Sequence, residues 1–170
     1  MELTTNRKGM IAETAIIHEC AKLGVGVSRP LDDERYDLIL DLGDELLRVQ
    51  CKWAPLCRDV IVIRCYSNRR AREGQRRRRY ASTEIDAIAA YCPGNGRCYL
   101  LSRQLSCDVT QVYLRLAPTQ NNQAAGVNWA TDYEFGATLN RLLGPIAQLG
   151  ERSDGIRKVV GSIPTGSTLF

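Results

Sequence analysis

The chain has 170 residues and a net charge of +4, and its length is enough for one domain with a sizeable hydrophobic core. Hydrophobic residues make up 44% and charged residues 25%, which is typical of a globular protein and excludes an intrinsically disordered one. No apolar run reaches the roughly 20 residues of a membrane helix and no signal-peptide pattern opens the chain, so we expect a cytoplasmic protein without a membrane partner.

The first predicted element is an amphipathic helix. Asn6 is a suitable N-cap, residues 7–23 carry apolar side chains at helical spacing, and Gly24 is a typical helix stop. Glu13 lies beside the apolar stripe, so its carboxylate is drawn toward the core. A charge in that position is unfavourable unless a cation lies nearby.

A series of strands is predicted after this helix. The apolar and turn residues predict four strands, over 25–31, 36–42, 45–53 and 60–66. A tight turn at residues 43–44 joins the second strand to the third. This turn sets Asp37 near the level of Gln50. Lys52 lies on the same strand face as Gln50, because side chains alternate along a strand.

The second half of the chain predicts further helices and strands. Thr83 is a suitable N-cap for a helix over 84–91, and residues 118–126 are typical of an open loop. The remaining elements are strands over 98–101 and 112–116 and a weakly patterned helix within 128–143. The order α-β-β-β-β-α-β-β indicates one mixed α/β domain over residues 1–143.

Positive charge is concentrated between residues 58 and 80. This segment holds nine of the 19 arginines and two acidic residues, so its net charge is +7 and the rest of the chain carries −3. Arginine binds phosphate in a planar, bidentate geometry, and such a concentration is typical of a surface that faces a polyanion. A solvated loop that only maintains solubility is the alternative. The predicted DNA contacts are Arg69, Arg70, Arg72, Arg76, Arg77, Arg78 and Arg79.

The cysteines indicate a reducing compartment. There are seven of them, an odd number, and no two form a C-x-x-C pair. This pattern argues against both a disulfide framework and a structural zinc site.

Four polar residues form a candidate catalytic site. Asp37, Gln50 and Lys52 converge on the predicted hairpin, and Glu13 reaches them when the first helix packs on this sheet. Carboxylate and amide oxygens of Glu13, Asp37 and Gln50 suit Mg²⁺, which binds a phosphate and lowers the pKa of a bound water. Lys52 then orients that water or neutralises the developing charge. We therefore expect a phosphodiester hydrolase with one or two Mg²⁺ ions per site.

The segments around these residues carry a family resemblance. They are Lys8-Gly9-Met10-Ile11-Ala12-Glu13, Arg29-Pro30-Leu31, Arg35-Tyr36-Asp37-Leu38 and Val49-Gln50-Cys51-Lys52, with weaker matches at Tyr80, 85–91 and 97–101. Over about residues 6–135 the chain resembles the PD-(D/E)XK nuclease superfamily, and most of all its small homing-type branch, the endonucleases of cyanobacterial group I introns. The resemblance implies a restriction-endonuclease-like α/β fold with an α-β-β-β-α-β core, a mixed sheet flanked by helices.

The resemblance also implies roles for the candidate residues. Asp37 matches the central aspartate of the motif, Lys52 its lysine and Glu13 the glutamate of the first helix. Gln50 occupies the position where most of the superfamily has glutamate, although glutamine is known in the homing-type branch. This difference lowers the negative charge at the metal and leaves the number of bound ions open.

The function implied is a Mg²⁺-dependent endonuclease that cuts double-stranded DNA at a specific site, as a homing-type enzyme of a mobile element. One active site cuts one strand, so a double-strand break requires a homodimer or a higher even oligomer. Three alternatives are a Holliday-junction-resolving nuclease of the same superfamily, a DNA-binding protein with a decayed active site, and a relic reading frame.

Residues 144–170 differ in character from the rest and are predicted to be a C-terminal tail. With a suitable choice of codons, residues 146–152 and 160–165 encode stems that resemble the D-arm and the T-arm of a transfer RNA. Our hypothesis is that the reading frame runs into a tRNA gene. A plain C-terminal extension is the alternative.

Overall fold

The computed structural model describes residues 2–71, 74–118 and 125–143. Arg72, one of the predicted DNA contacts, lies outside the described residues. The same holds for positions 119–124 of the predicted loop and for the whole tail at 144–170, so the hypotheses about these segments stay predictions.

The described residues form helices and strands in the following chain order. The helices are α1 (Thr5–Lys22), α2 (Arg103–Ser106) and α3 (Phe135–Leu143), and a 3₁₀ turn lies at Ala130–Tyr133. The strands are β1 (Gly26–Ser28), β2 (Leu38–Asp41), β3 (Leu46–Trp53), β4 (Leu56–Cys57), β5 (Val60–Arg64), β6 (Tyr66–Ala71), β7 (Gly74–Arg79), β8 (Ala87–Cys92), β9 (Arg97–Ser102) and β10 (Gln111–Arg115).

A five-stranded mixed sheet lies at the centre, in the order β1-β2-β3-β8-β9. Its neighbouring strands are antiparallel except β3 and β8, which run parallel with Val49 beside Ala87. A second sheet has the order β10-β5-β4, and β6 pairs with β7 in a two-stranded hairpin. These sheets and helices confirm the predicted mixed α/β fold in which helices flank a mixed sheet.

Both faces of the central sheet are covered. Ile16 of α1 and Leu139 of α3 pack with Leu100 of β9 on one face. On the other face, Ile61 of the second sheet belongs to the same buried cluster as Ile88 of β8. Helix α1 contacts β3 and β8, so its middle lies against the strand that carries the candidate catalytic residues.

The helix predicted over 84–91 is wrong, because this segment contains the central strand β8. Residues 87–90 are all buried, and β8 is paired on both sides, with β3 and with β9. A short apolar run between two turns fits a fully buried strand as well as a helix, and its alanines favoured the helix. Glu84 closes a turn, since its Oε2 accepts a hydrogen bond of 3.0 Å from the Ala81 N–H.

The other predicted elements differ from the structure mainly at their ends. Thr4, and not Asn6, is the N-cap of α1, and its Oγ1 accepts a hydrogen bond of 3.3 Å from the Arg7 N–H. The two-residue strand β4 was not predicted. The arginine-rich segment forms the β6–β7 hairpin.

Two features concern the environment of the chain. All seven cysteines are free thiols, and all except Cys57 are buried. None of the helices in the described residues combines the length and the apolar character needed to cross a membrane.

A pair of glycine substitutions tests how the β8–β9 turn packs. A Cβ at Gly94 would lie 2.7 Å from the Leu56 Cβ of β4, whereas a Cβ at Gly9 of α1 would meet nothing within 4 Å. We expect Gly94→Ala to lower the free energy of unfolding by about 1–3 kcal/mol through overpacking. The control, Gly9→Ala, should raise it by up to about 1 kcal/mol, because alanine favours helix. Denaturant unfolding measures both, and a Gly94→Ala variant as stable as the wild type would contradict this packing.

Candidate active site

Asp37 is joined to β3 through both its backbone and its side chain. Its N–H donates a hydrogen bond of 2.9 Å to the Val49 carbonyl. Its Oδ2 accepts one of 2.7 Å from the Cys51 N–H and another from the Nε2 of Gln50. The structure therefore brings Asp37 and Gln50 together, at the point where β2 begins beside β3.

The environment of Asp37 disfavours its charge. Burial raises the pKa of this carboxyl above its ordinary value, although the Cys51 N–H, the Lys52 ammonium, the Arg29 guanidinium and the Gln50 amide each act to lower it. The raised pKa means that the surrounding donors do not fully replace the water that Asp37 has lost.

Glu13 reaches the same place from helix α1. It lines a cavity of about 220 Å³ together with Asp37 and Arg29. Burial is the main cause that raises the pKa of Glu13, the Asp37 carboxylate adds to it, and the Arg29 guanidinium acts in the opposite direction. Glu13 and Arg29 form an ion pair. Arg29 is thus the cation that the inward position of Glu13 requires.

Lys52 lies on the same face of β3 and is held by two acceptors. Its Nζ donates a hydrogen bond of 3.1 Å to the Tyr66 carbonyl and one of 2.7 Å to the Tyr80 hydroxyl. Burial lowers the pKa of Lys52 to about 8, and the Asp37 carboxylate opposes this shift. The amine is therefore poorly hydrated, close to a carboxylate and fixed in direction.

The donor set at this site fits a hard divalent cation. No group of three His, Cys, Asp or Glu residues that could hold a metal ion occurs in the described parts of the chain. Glu13 and Asp37 line one cavity together with three further acidic residues, Asp32, Asp33 and Glu34, and the amide of Gln50 contacts Asp37. Oxygen ligands of this kind suit Mg²⁺ or Ca²⁺ and not Zn²⁺. The Arg29 guanidinium acts to lower the pKa of both carboxyls, but burial keeps the pKa of each above its ordinary value.

The basic hairpin β6–β7 places arginines on both of its strands. Its register sets Arg69 directly opposite Arg76. Side chains alternate along a strand, so the consecutive arginines Arg77, Arg78 and Arg79 of β7 give positive charge to both faces of the hairpin.

Three of these arginines have described side chains, and all three are exposed. The Arg77 guanidinium lies 5.3 Å from the centre of the Tyr66 ring. Arg78 forms an ion pair with Glu84, and Arg79 donates a hydrogen bond of 3.0 Å to a backbone carbonyl. These contacts hold the hairpin in place. Each guanidinium group has further N–H donors, which can bind a ligand.

The comparisons with known proteins identify the family. The chain matches the family model of the PD-(D/E)XK endonucleases over residues 3–136. The chain belongs to this family. Among solved structures, the nuclease is similar to a bacterial homing endonuclease, I-Ssp6803I, with 25% sequence identity and a TM-score of 0.66, over 88% of this chain and 99% of that chain. No curated protein sequence matches it significantly.

These matches confirm the predicted superfamily and the restriction-endonuclease-like fold. The nuclease is therefore a hydrolase, and the family model together with the structural likeness supports DNA as the polymer that it cuts. The roles of individual residues are a separate question.

Sequence reasoning assigned no role to three residues that the structure brings to the site of the nuclease. Arg29, Arg35 and Tyr80 stand in segments that carry the family resemblance, but each makes its contact with a residue far away in the chain. The inward position of Glu13 was a signal that a cation was needed. Nothing in the sequence showed which cation it was.

Asp37→Asn tests whether the buried Asp37 carboxylate destabilises the folded nuclease. Because the folded-state pKa of Asp37 is raised, this group favours folding below its ordinary pKa, and that contribution is lost as the pH rises through the raised value. We expect Asp37→Asn to raise the Tm at pH 7 in EDTA, by roughly 2–4 °C for each kcal/mol gained. The difference in Tm between Asp37→Asn and the wild type should vanish near pH 3, where the Asp37 carboxyl is neutral in the folded and the unfolded state.

The matched control is Asp44→Asn, at an exposed position in the turn after β2. Its Tm should stay close to that of the wild type at both pH values. A lower Tm for Asp37→Asn at pH 7 would show that the hydrogen bonds to the carboxylate outweigh its burial.

Proposed function

We propose that this nuclease is a Mg²⁺-dependent endonuclease that cuts double-stranded DNA at a specific site, as a homing-type enzyme. The observation that carries the proposal is the convergence of Glu13, Asp37, Gln50 and Lys52 next to the arginine-rich hairpin. The likeness to a bacterial homing endonuclease supports the homing-type activity.

Glu13, Asp37 and Gln50 are the residues that would hold Mg²⁺, with one or two ions per site. The bound ion supplies a positive charge for the scissile phosphate and a water of lowered pKa. Asp37 offers its second oxygen, because Oδ2 already accepts the Cys51 N–H. Gln50 contributes an uncharged ligand, so the proposed ligand set has two carboxylates and repels a phosphate less than a set with three.

Lys52 is the residue that acts on the phosphate or on the attacking water. Its ammonium is largely removed from bulk water. In such a site a charge interacts more strongly with a developing negative charge than it does in solution. In the described residues, two of its three protons are bound by the Tyr66 carbonyl and the Tyr80 hydroxyl, and the third is left for the reaction.

The β6–β7 hairpin is the proposed DNA-binding element. A two-stranded ribbon fits the major groove of B-DNA, and arginine is the side chain that most often binds phosphate and guanine there. Lys52 contacts the first residue of this hairpin, Tyr66. DNA bound by the hairpin is thus presented directly to the candidate catalytic residues.

A chain with one such site cuts one strand. We infer that a double-strand break is made by a homodimer or a higher even oligomer, in which the symmetry of the protein matches a roughly palindromic DNA site.

Cleavage by site variants tests the proposed chemistry. Asp37→Asn keeps the shape and removes a metal-binding charge, and Lys52→Ala removes the amine, so both should abolish cleavage of target DNA in Mg²⁺. Asp37→Asn should bind DNA as tightly as the wild type or more tightly, because a carboxylate repels a phosphate until a metal ion neutralises it. Gel-based cleavage and binding assays measure both properties, with Asp44→Asn as the control.

Other outcomes of the same assays would contradict the proposal. Wild-type activity without a divalent ion, or an Asp37→Asn variant that cuts at the wild-type rate, would show that the site is assigned wrongly. A protein that binds DNA but cuts no duplex, junction or plasmid has a decayed site. Preferred cleavage of a four-way junction would indicate a junction-resolving nuclease. Gln50→Glu restores the acid of the wider superfamily and should retain some activity.

The salt dependence of binding tests the hairpin. Replacing Arg76 and Arg77 with glutamine should weaken DNA binding and reduce the slope of log K against log salt by about 0.9 for each lost phosphate contact. The control replaces Arg97 and Arg141, two exposed arginines outside the hairpin, and removes the same total charge. Equal slopes for the two double variants would show that the hairpin is only a solvated surface.

A further inference from the structure

Tyr80 has an unusual position for a buried tyrosine. Its side chain is 1% exposed, and its hydroxyl accepts the 2.7 Å hydrogen bond from the Lys52 Nζ. The same Nζ lies 4.8 Å from the centre of the Tyr80 ring. The ammonium therefore lies at the hydroxyl end of the Tyr80 ring, within hydrogen-bond distance of its oxygen.

A second cation lies against the same ring. The Arg35 guanidinium is 4.5 Å from the centre of Tyr80. Arg35 also donates hydrogen bonds of 2.8 Å to the Ser67 hydroxyl of β6 and of 3.1 Å to the Arg79 carbonyl of β7. Its Nε lies 3.3 Å from Glu84, which gives it a charged partner. Arg35 thus holds both strands at the base of the hairpin and fixes the ring of Tyr80.

A lysine side chain has four rotatable bonds, and its ammonium finds a single position only when several partners determine it. In the described residues, these partners are the Tyr66 carbonyl and the Tyr80 hydroxyl. A backbone carbonyl cannot be removed by substitution, but the Tyr80 hydroxyl can. Phenylalanine has the same ring and the same shape and lacks only the acceptor.

We propose that Tyr80 is a positioning residue of the nuclease, which holds the Lys52 ammonium in the direction of the scissile phosphate and links it to the base of the DNA-binding hairpin. This inference rests on the proposed function, since it gives Lys52 the role stated there. In the described residues, Tyr80 forms no hydrogen bond with the carboxylates of Glu13 and Asp37. Its effect on the reaction passes through Lys52.

Tyr80→Phe has a matched control in Tyr99→Phe. Tyr99 is also 1% exposed, and its hydroxyl accepts one hydrogen bond of 2.8 Å, from the Asn95 side chain. Each substitution removes one buried hydroxyl, but only the Tyr80 hydroxyl bonds to Lys52, and it also has a hydrogen bond with the Ser67 side chain. Tyr99→Phe controls for the loss of a buried hydroxyl, and circular dichroism checks that both variants are folded.

The first measurement is single-turnover cleavage of target DNA by the full chain in Mg²⁺. We expect Tyr80→Phe to lower the rate at saturating enzyme by about 10- to 100-fold, the range typical of partners that orient catalytic groups. The Kd for DNA should stay unchanged, since the hairpin arginines are intact. Tyr99→Phe should cut at the wild-type rate. Equal rates for the two variants, or a loss in Tyr80→Phe that is explained by its Kd, would overturn the proposal.

The second measurement does not depend on activity. The chain has four lysines, so the ¹H–¹⁵N spectrum of its ammonium groups is simple, and Lys52→Arg assigns the signal of Lys52. A buried, hydrogen-bonded ammonium exchanges its protons slowly and gives a sharp signal. We expect this signal in the wild type and in Tyr99→Phe, and its loss or a large shift in Tyr80→Phe. An unchanged Lys52 signal in Tyr80→Phe would overturn the proposal.

The two measurements separate the possible failures. A changed Lys52 signal with an unchanged cleavage rate shows that the contact exists but does not serve catalysis, which overturns the positioning role alone. Absence of any cleavage by the wild type overturns the proposed function and the inference with it, whatever the spectrum shows.

Discussion

The attachment of Asp37 to β3 is the interaction on which the candidate site depends. Hydrogen bonds from the Cys51 N–H and the Gln50 amide, together with the bond from the Asp37 N–H to Val49, hold one carboxylate at a fixed distance from the strand that also carries Lys52. Burial nevertheless raises the pKa of this carboxyl. The fold thus keeps a carboxyl group in a place where its charge is not fully stabilised. A bound cation stabilises such a carboxylate more than it stabilises an exposed one.

Two cations near this carboxylate, Arg29 and Lys52, differ in their freedom to move. Arg29 pairs with Glu13 and is more than half exposed, so it can leave when a metal ion enters. Lys52 is held by hydrogen bonds to other groups and cannot approach the acids without losing them. Its charge therefore contributes a field at the site without neutralising it. Charges that are fixed in this way need no rearrangement when a negative charge develops on a phosphate.

The local sequence pattern was sufficient to predict some elements and contacts of this structure and not others. The tight turn between β2 and β3 and the alternation of side chains along β3 were enough to predict that Asp37 and Gln50 lie together, because both rules act over a few residues. Strand β8 was not predicted, because a short apolar run rich in alanine can form a strand or a helix. Pairing with β3 and β9 makes it a strand here. Tyr80 meets Lys52 from 28 positions away in the chain, and no local periodicity contains such a contact.

The two halves of the candidate site are opposite in charge, and the structure joins them at one residue. The cavity of Glu13 and Asp37 is acidic, whereas the hairpin has arginines on both of its strands. An acidic site alone would repel a phosphate. Lys52 bonds to the hairpin through the Tyr66 carbonyl while its ammonium lies within the field of Asp37. The same lysine thus connects the basic hairpin to the cavity that Glu13 and Asp37 line.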